Sequence, residues 1–330
     1  MQAILSVTVP FFALVLCGYL AARTRVMPEA AIPGLNAFVL FFALPCMLFR
    51  FGAGTPIGNL LNPTMLAVYT LAGLGIVALT VVLTLGARVH LKDAAFGALV
   101  AAFPNSGFMG MPMMTALVGA AAAGPVMVTL LVDMFIVSSV CLALAQMHGA
   151  SHLPLGARLR NALRGPIANP QPWAIALGAL FSAAGLALPG PLERIVELLA
   201  DAATPVALFT IGAVLWRAGE HARLDAATSD GAPRAPFVAV LPLALIKLCV
   251  HPALLFAIGS AAIAMGAALT PFNLMVLTLT AALPSASGVS LLAERHGADT
   301  GRVARVIMAS TVLAFVSFSA LAWWFGVREG

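Results

Sequence analysis

The sequence is poor in charge. Only 9% of its 330 residues are Asp, Glu, Lys or Arg, too few to cover a water-soluble domain. There is no hydrophilic stretch long enough for a sizeable soluble domain. The four cysteines, Cys17, Cys46, Cys141 and Cys249, lie in separate apolar runs with no C-x-x-C spacing, which argues against a disulfide framework and against a zinc or other metal site. The chain has no G-x-x-x-x-G-K loop, so primary pumping by this chain alone is not expected, and no cofactor is called for. It also lacks G-x-S-x-G, H-E-x-x-H and a second central aspartate, leaving an intramembrane enzyme without its chemistry. The basic residues give a net charge of +5 but are scattered among loops without aromatic interleaving, which disfavours nucleic acid as a partner. The N-terminus has no positive region of the signal-peptide kind, and Leu16 before Cys17 is wrong for lipoprotein-type cleavage. Residues 3 to 22 are therefore expected to remain as a first span.

What is present is hydrophobic: 62% of the residues, with a mean hydropathy of +1.03. Apolar windows fall near 3 to 22, 33 to 52, 63 to 86, 94 to 117, 121 to 147, 171 to 188, 195 to 216, 236 to 264, 272 to 293 and 302 to 325. At roughly 20 residues per span, these windows predict an all-α membrane protein of ten transmembrane helices in a lipid bilayer. With the N-terminus outside, alternation places thirteen of the 17 Lys and Arg on the cytoplasmic side and three on the other. Only Lys247 falls inside a span. This positive-inside bias predicts a multi-pass protein of the plasma (inner) membrane with both termini outside.

Two internal matches suggest a repeat. Ala101-Ala102-Phe103-Pro104-Asn105-Ser106-Gly107 resembles Ala281-Ala282-Leu283-Pro284-Ser285-Ala286-Ser287-Gly288, and Leu48-Phe49-Arg50-Phe51-Gly52 resembles Leu215-Trp216-Arg217-Ala218-Gly219. They predict a first repeat over 1–150 and a second over 151–330, five helices each. An odd number of helices per half inverts one half against the other, a plan that recurs in secondary transporters.

The fourth and ninth windows carry Pro and Gly at their centres, and Pro104, Pro112 and Pro284 should break the helices there. Broken backbone at membrane depth must be buried in protein or face a wet cavity. Asn105 and Ser106 follow Pro104, and Ser285, Ser287 and Gly288 follow Pro284, where new half-helices could begin with polar caps. Two such amino ends meeting at one cavity would favour an anion, so Asn105, Ser106, Gly107, Ser285, Ser287 and Gly288 are the candidate substrate-binding residues. Ordinary proline kinks satisfied by neighbouring helices are the plainer alternative.

Three strings support a family resemblance: Asn105 to Pro112 (NSGFMGMP), Asn36 to Phe49 (NAFVLFFALPCMLF) and Pro205 to Leu215 (PVALFTIGAVL). With Pro284 to Gly288 they resemble the auxin efflux carrier family of permeases over essentially the whole chain. Bacterial members described as malonate or malate transporters look most similar, since the long hydrophilic central loop of the plant carriers is absent. The resemblance implies ten helices in two inverted five-helix repeats with crossing, broken helices 4 and 9, as in the sodium/proton antiporter-like fold. It also implies organic anions as substrates. Pro104, Asn105, Pro112 and Pro284 match the crossover motifs; the identity of the substrate does not carry over.

Asp133 is the only acid deep in a span, where a charge costs at least ~2.5 kcal/mol. It is a candidate proton carrier, and the resemblance implies Asn at this place, so Asp133 is a departure from the family pattern. Lys247 and His251 lie one turn apart on the eighth span and complete the candidate coupling set. Lys247 could pair with Asp133, face the substrate, or snorkel. Arg50 and Arg217 end their helices and are expected to snorkel, with gating as the alternative, while Glu197 and Asp201 read as a solvated helix start. Met109, Met111, Met113 and Met114 read as adaptable packing or as an apolar wall against the substrate. The expectation is a secondary transporter of a small carboxylate, a dicarboxylate such as malonate, coupled to a proton. Sodium-coupled or uncoupled transport is the alternative, an ion channel lacks its charge ring, and a homodimer stays open.

Overall fold

The computed structural model describes residues 2–56, 58, 62–86, 89–147, 156, 160, 164–165, 167–228 and 237–327. Arg88, Arg158, Arg234 and Arg328, which enter the side-to-side charge bias, lie outside them. Among the described residues the protein is all helix, with no strand and only two isolated bridges.

The helices are α1 (Gln2–Arg23), α2 (Ala31–Ala53), α3 (Pro63–Thr84), α4 (Leu91–Ala102), α5 (Ser106–Val118) and α6 (Ala120–Met147). They continue with α7 (Pro170–Ala184), α8 (Gly190–Thr228), α9 (Phe237–Leu245 running through Ile246–Val250 into His251–Ala264), α10 (Pro271–Ala281), α11 (Gly288–Arg295) and α12 (Thr300–Trp324). Seven of these, α1, α2, α3, α6, α8, α9 and α12, are long and apolar enough to cross a membrane. The remaining three windows hold the 15-residue α7 and the interrupted pairs α4/α5 and α10/α11.

Helix starts follow local chemistry. Asn62 accepts a bond from Met65 N at 3.0 Å, Asn169 from Gln171 N at 2.9 Å and Thr270 from Asn273 N at 3.1 Å. Each cap precedes a proline that needs no donor partner at the first helical position. At α12, Asp299 caps Arg302 N at 2.7 Å.

Water-free surroundings give helices no hydrophobic drive to associate, so close approach of small residues holds them together. A Cβ on Gly18 of α1 would lie 1.8 Å from Phe209 O of α8, and one on Gly212 of α8 would lie 1.8 Å from Val15 O of α1. The same device joins α2 to α7, where a Cβ on Gly178 would lie 2.4 Å from Phe49 O. Leu, Ile and other large apolar side chains on the outer faces of α1, α2, α3, α7 and α12 remain exposed, as lipid-facing positions require.

Candidate functional site

The sequence places the breaks in windows four and nine, and the chain crosses itself at these points. After Ala102, Phe103 turns extended (φ −100°, ψ 98°), and Pro104 pairs antiparallel with Ser285. Asn105 N–H donates to Pro284 O at 2.8 Å, and Ala286 N–H donates to Phe103 O at 3.0 Å. Each interruption therefore uses the other to satisfy backbone groups that its own helix has released.

The expected side-chain caps do not form. Neither Asn105 nor Ser287 caps the helix that follows it, because the Asn105 backbone (φ −78°, ψ 57°) is turned into the bridge to Pro284, and Ser287 already has helical dihedrals (φ −62°, ψ −26°). Among the described residues no acceptor meets the amides of Gly107 and Phe108 on α5, or of Ser287 and Gly288 on α11. These are the orphan donors of two helix amino ends. Gly288 faces open space, whereas Gly107 lies against Leu130, Leu44 and Gln171 Oε1.

The candidate polar residues divide into two groups. Ser285 is held inside the crossing: its hydroxyl donates to Val100 O at 2.7 Å, and its amide donates to Ser310 Oγ at 3.2 Å. Ser106 is buried, with its hydroxyl 3.4 Å from Pro104 O. Asn105 and Ser287 are buried too, and neither side chain makes a capping bond to the helix that follows it. Pro112 sits at the first turn of the regular part of α5.

A second cluster lies beside the crossing. Asp133 is completely buried; Tyr69 Oη donates to its Oδ2 at 3.0 Å, and its Oδ1 has no partner. The Lys247 charge and the Ser106 hydroxyl are the other groups that act on this carboxylate. Lys247 makes no direct ion pair with Asp133. Its Nζ donates to Ala281 O at 2.5 Å, at the carboxyl end of α10, where a cation complements the helix dipole. Burial of Lys247 excludes snorkelling. His251 is completely buried, neither ring nitrogen has a partner, and its ring lies 6.1 Å from that of Tyr69.

Asp133 and Lys247 both open or occupy short π-helical stretches, Asp133–Val137 and Ile246–Val250, and Ser106–Gly110 is a third. Such wide turns recur at functional positions. The sequence reading missed Tyr69 and Ser310. A tyrosine in an otherwise apolar span, one of two in the chain, was the available signal, because a buried phenol needs an acceptor.

Arg50 and Asp201 stay exposed, at 45% and 70% of their side chains, and pair with each other: Arg50 Nη1 donates to Asp201 Oδ1 at 2.9 Å. An ion pair this open contributes ~0–1 kcal/mol. It stands on the wall of a cavity of about 520 Å³ between α2, α5 and α8. No group of His, Cys, Asp or Glu among the described residues could hold a metal ion.

A family model described as "Membrane transport protein" matches residues 3–322. A protein named "Putative malonate transporter" from Rhizobium meliloti (strain 1021) is 27% identical over 98% of this chain and 96% of its own length. An "Uncharacterized transporter" of Methanothermobacter thermautotrophicus is 25% identical over 96% of this chain and 95% of its own. The "Uncharacterized transporter YfdV" of Escherichia coli (strain K12) is 24% identical over 93% and 92%.

Proposed function

The chain belongs to the membrane transport protein family that includes the auxin efflux carriers, and from that premise we propose that it is a secondary transporter of a small carboxylate such as malonate. In this reading α4/α5 and α10/α11 are spans four and nine of ten. The halves 1–150 and 151–330 are inverted five-helix repeats that rock against each other around the crossing. The glycine contacts fit such a plan, since α1 with α8 and α7 with α2 are the pairs an inverted repeat would relate. The termini lie outside the cytoplasmic membrane, as the Lys and Arg bias favours.

The observation that carries the proposal is the reciprocal pair Asn105 N–H to Pro284 O and Ala286 N–H to Phe103 O. It locks two helix amino ends side by side, with the Gly107, Phe108, Ser287 and Gly288 amides left for an acceptor. A carboxylate supplies two acceptor oxygens and the negative charge that helix amino ends favour. Asn105 and Ser287 add buried polar groups; Ser106, Gly107, Ser285 and Gly288 shape the backbone around them. The malonate assignment takes further support from the name of the Rhizobium relative.

Proton coupling runs through Asp133, Lys247 and His251, with Tyr69 as the donor that orients Asp133. The open Oδ1 of Asp133 and the one imidazole nitrogen of His251 that carries no hydrogen are positions to which a proton can be delivered without displacing an existing bond.

The test is counterflow in liposomes with labelled malonate, malate, lactate and indole acetate, with and without a pH or sodium gradient. Exchange of at least one carboxylate, accelerated by a pH gradient alone, is the expected result. No exchange of any of the four would remove the carboxylate reading, and acceleration by sodium alone would remove the proton.

A further inference from the structure

The cavity of about 520 Å³ lies away from the crossing, on the side where α2, α5 and α8 end or begin. Met47 and Phe51 form its apolar wall, and Thr115 and Thr204 bring hydroxyls to it. Arg50 and Asp201 are the only charged side chains on that wall among the described residues. Its size suits a small ligand. Thr115 lies nine residues along α5 from Ser106, about 13 Å at the helical rise, so the cavity and the crossing share one helix.

We propose that Arg50 is the cation of a separate anion site, an entry site at which an incoming carboxylate displaces Asp201 on its way to the crossing. This inference rests on the carboxylate reading of the substrate. Three features of the pair support it. Both side chains are well exposed, so solvent screens their attraction and partner exchange is easy. Asp201 engages only Nη1, through one oxygen, whereas a guanidinium can offer two parallel donors to a carboxylate. The Thr204 hydroxyl has only a weak acceptor, Met47 Sδ at 4.0 Å, and is free to accept or donate elsewhere in the cavity. Asp201 thus occupies the cation until a carboxylate replaces it. It keeps Arg50 positioned over the cavity and excludes weakly competing anions.

The site is tested in two ways. In counterflow, Arg50→Gln should raise the half-saturation concentration for malonate about tenfold while leaving the saturated rate within about twofold. Asp201→Asn, which removes the internal competitor, should lower it severalfold. An unchanged half-saturation concentration in Arg50→Gln overturns the proposal, as does a change confined to the saturated rate in both variants, which would make the pair a structural clasp. Independently of transport and of variant folding, the wild-type protein in detergent is treated with phenylglyoxal, and Arg50 modification is read by peptide mass spectrometry. Malonate should slow the reaction at Arg50, and the neutral analogue malonamide should not. Lack of protection at malonate concentrations that saturate exchange overturns the entry site. Protection of Arg50 without exchange of any carboxylate would uphold an anion site at Arg50 but remove both the transport reading and the role of that site in entry.

Discussion

Lys247 closes the carboxyl end of α10 by donating from Nζ to Ala281 O at 2.5 Å, three residues before Pro284 interrupts the ninth window. The same ammonium acts through space on Asp133, which Tyr69 holds from the other side. One buried cation therefore serves both a broken helix and a buried acid. Neither partner is replaceable by water, because all three side chains are completely buried.

The first prediction concerns that coupling. Lys247→Met should cost on the order of 1–3 kcal/mol, since it strips the buried Ala281 carbonyl of its donor. Asp133→Asn alone leaves Lys247 as the unbalanced charge. The double variant Asp133→Asn/Lys247→Met should recover roughly 1–3 kcal/mol relative to the sum of the singles. A thermal-unfolding series in detergent measures this, and additive losses would show that the two charges act independently.

Tyr69→Phe removes the one hydrogen bond that Asp133 has from a tyrosine and leaves a buried carboxylate oxygen without that donor. A loss of about 1–3 kcal/mol is expected, together with slower pH-driven uptake. Equal stability and equal uptake would mean that the phenol of Tyr69 serves only as packing against His251.

Helix packing gives a sharper contrast. In Gly212→Ala the new methyl would lie 1.8 Å from Val15 O and 2.6 Å from Tyr19 N, so α1 and α8 must separate. Nothing lies within 4 Å of a Cβ at Gly219 on the same helix. Gly219→Ala should be neutral or slightly stabilising, by up to about 1 kcal/mol in a helix. Gly212→Ala should lower the yield of monodisperse protein severalfold in size-exclusion chromatography. Similar yields from both variants would contradict the close approach.

These contrasts bear on what the sequence alone reveals. The spans at α1, α2, α3, α6, α8, α9 and α12 are legible because twenty or more apolar residues in a row have few other uses. The breaks at Pro104 and Pro284 are legible because proline cannot continue a helix without loss, but Pro112, expected to break the helix as well, lies within α5 at the first turn after its π-helical start, where its missing donor costs nothing. What the residues on either side of a break will bond to is not legible. Asn105 looks like a cap, but the crossing engages its amide with Pro284, a residue 179 positions away, and turns its backbone out of capping geometry. Tyr69 with Asp133 and Arg50 with Asp201 are likewise pairs of distant residues, and no local pattern marks them. The sequence leaves Lys247 open to pairing, substrate or snorkelling because its acceptor is a main-chain carbonyl, which carries no residue signature.

At the crossing, Asn105→Ala and Ser287→Ala remove side chains that cap neither α5 nor α11, so neither should destabilise the fold by more than about 0.5 kcal/mol. Each should nevertheless weaken carboxylate exchange at subsaturating concentration by about tenfold, the loss expected for one hydrogen bond to a charged group. Ser285→Ala has the opposite profile, because its hydroxyl satisfies Val100 O and it meets Ser310 within the crossing. It should lower stability by about 1–3 kcal/mol. Full exchange in both Asn105→Ala and Ser287→Ala would move the substrate away from the amino ends of α5 and α11.

Asp133→Asn separates coupling from transport itself. The amide keeps the size of the side chain and can accept from Tyr69, but it cannot take up and release a proton in the pH range of uptake. Removing the negative charge also frees Lys247 from a buried acidic neighbour, so downhill counterflow must be measured alongside driven uptake. If Asp133 carries the coupled proton, downhill exchange of malonate should persist at a rate within about tenfold of wild type. Uptake against a gradient should lose its response to an imposed pH difference. A variant that still concentrates substrate with the wild-type pH profile would remove Asp133 from coupling, and His251, with both nitrogens unpartnered in the same cluster, would become the next group to replace. Loss of counterflow and driven uptake together, with the protein still folded, would place Asp133 in the conformational change.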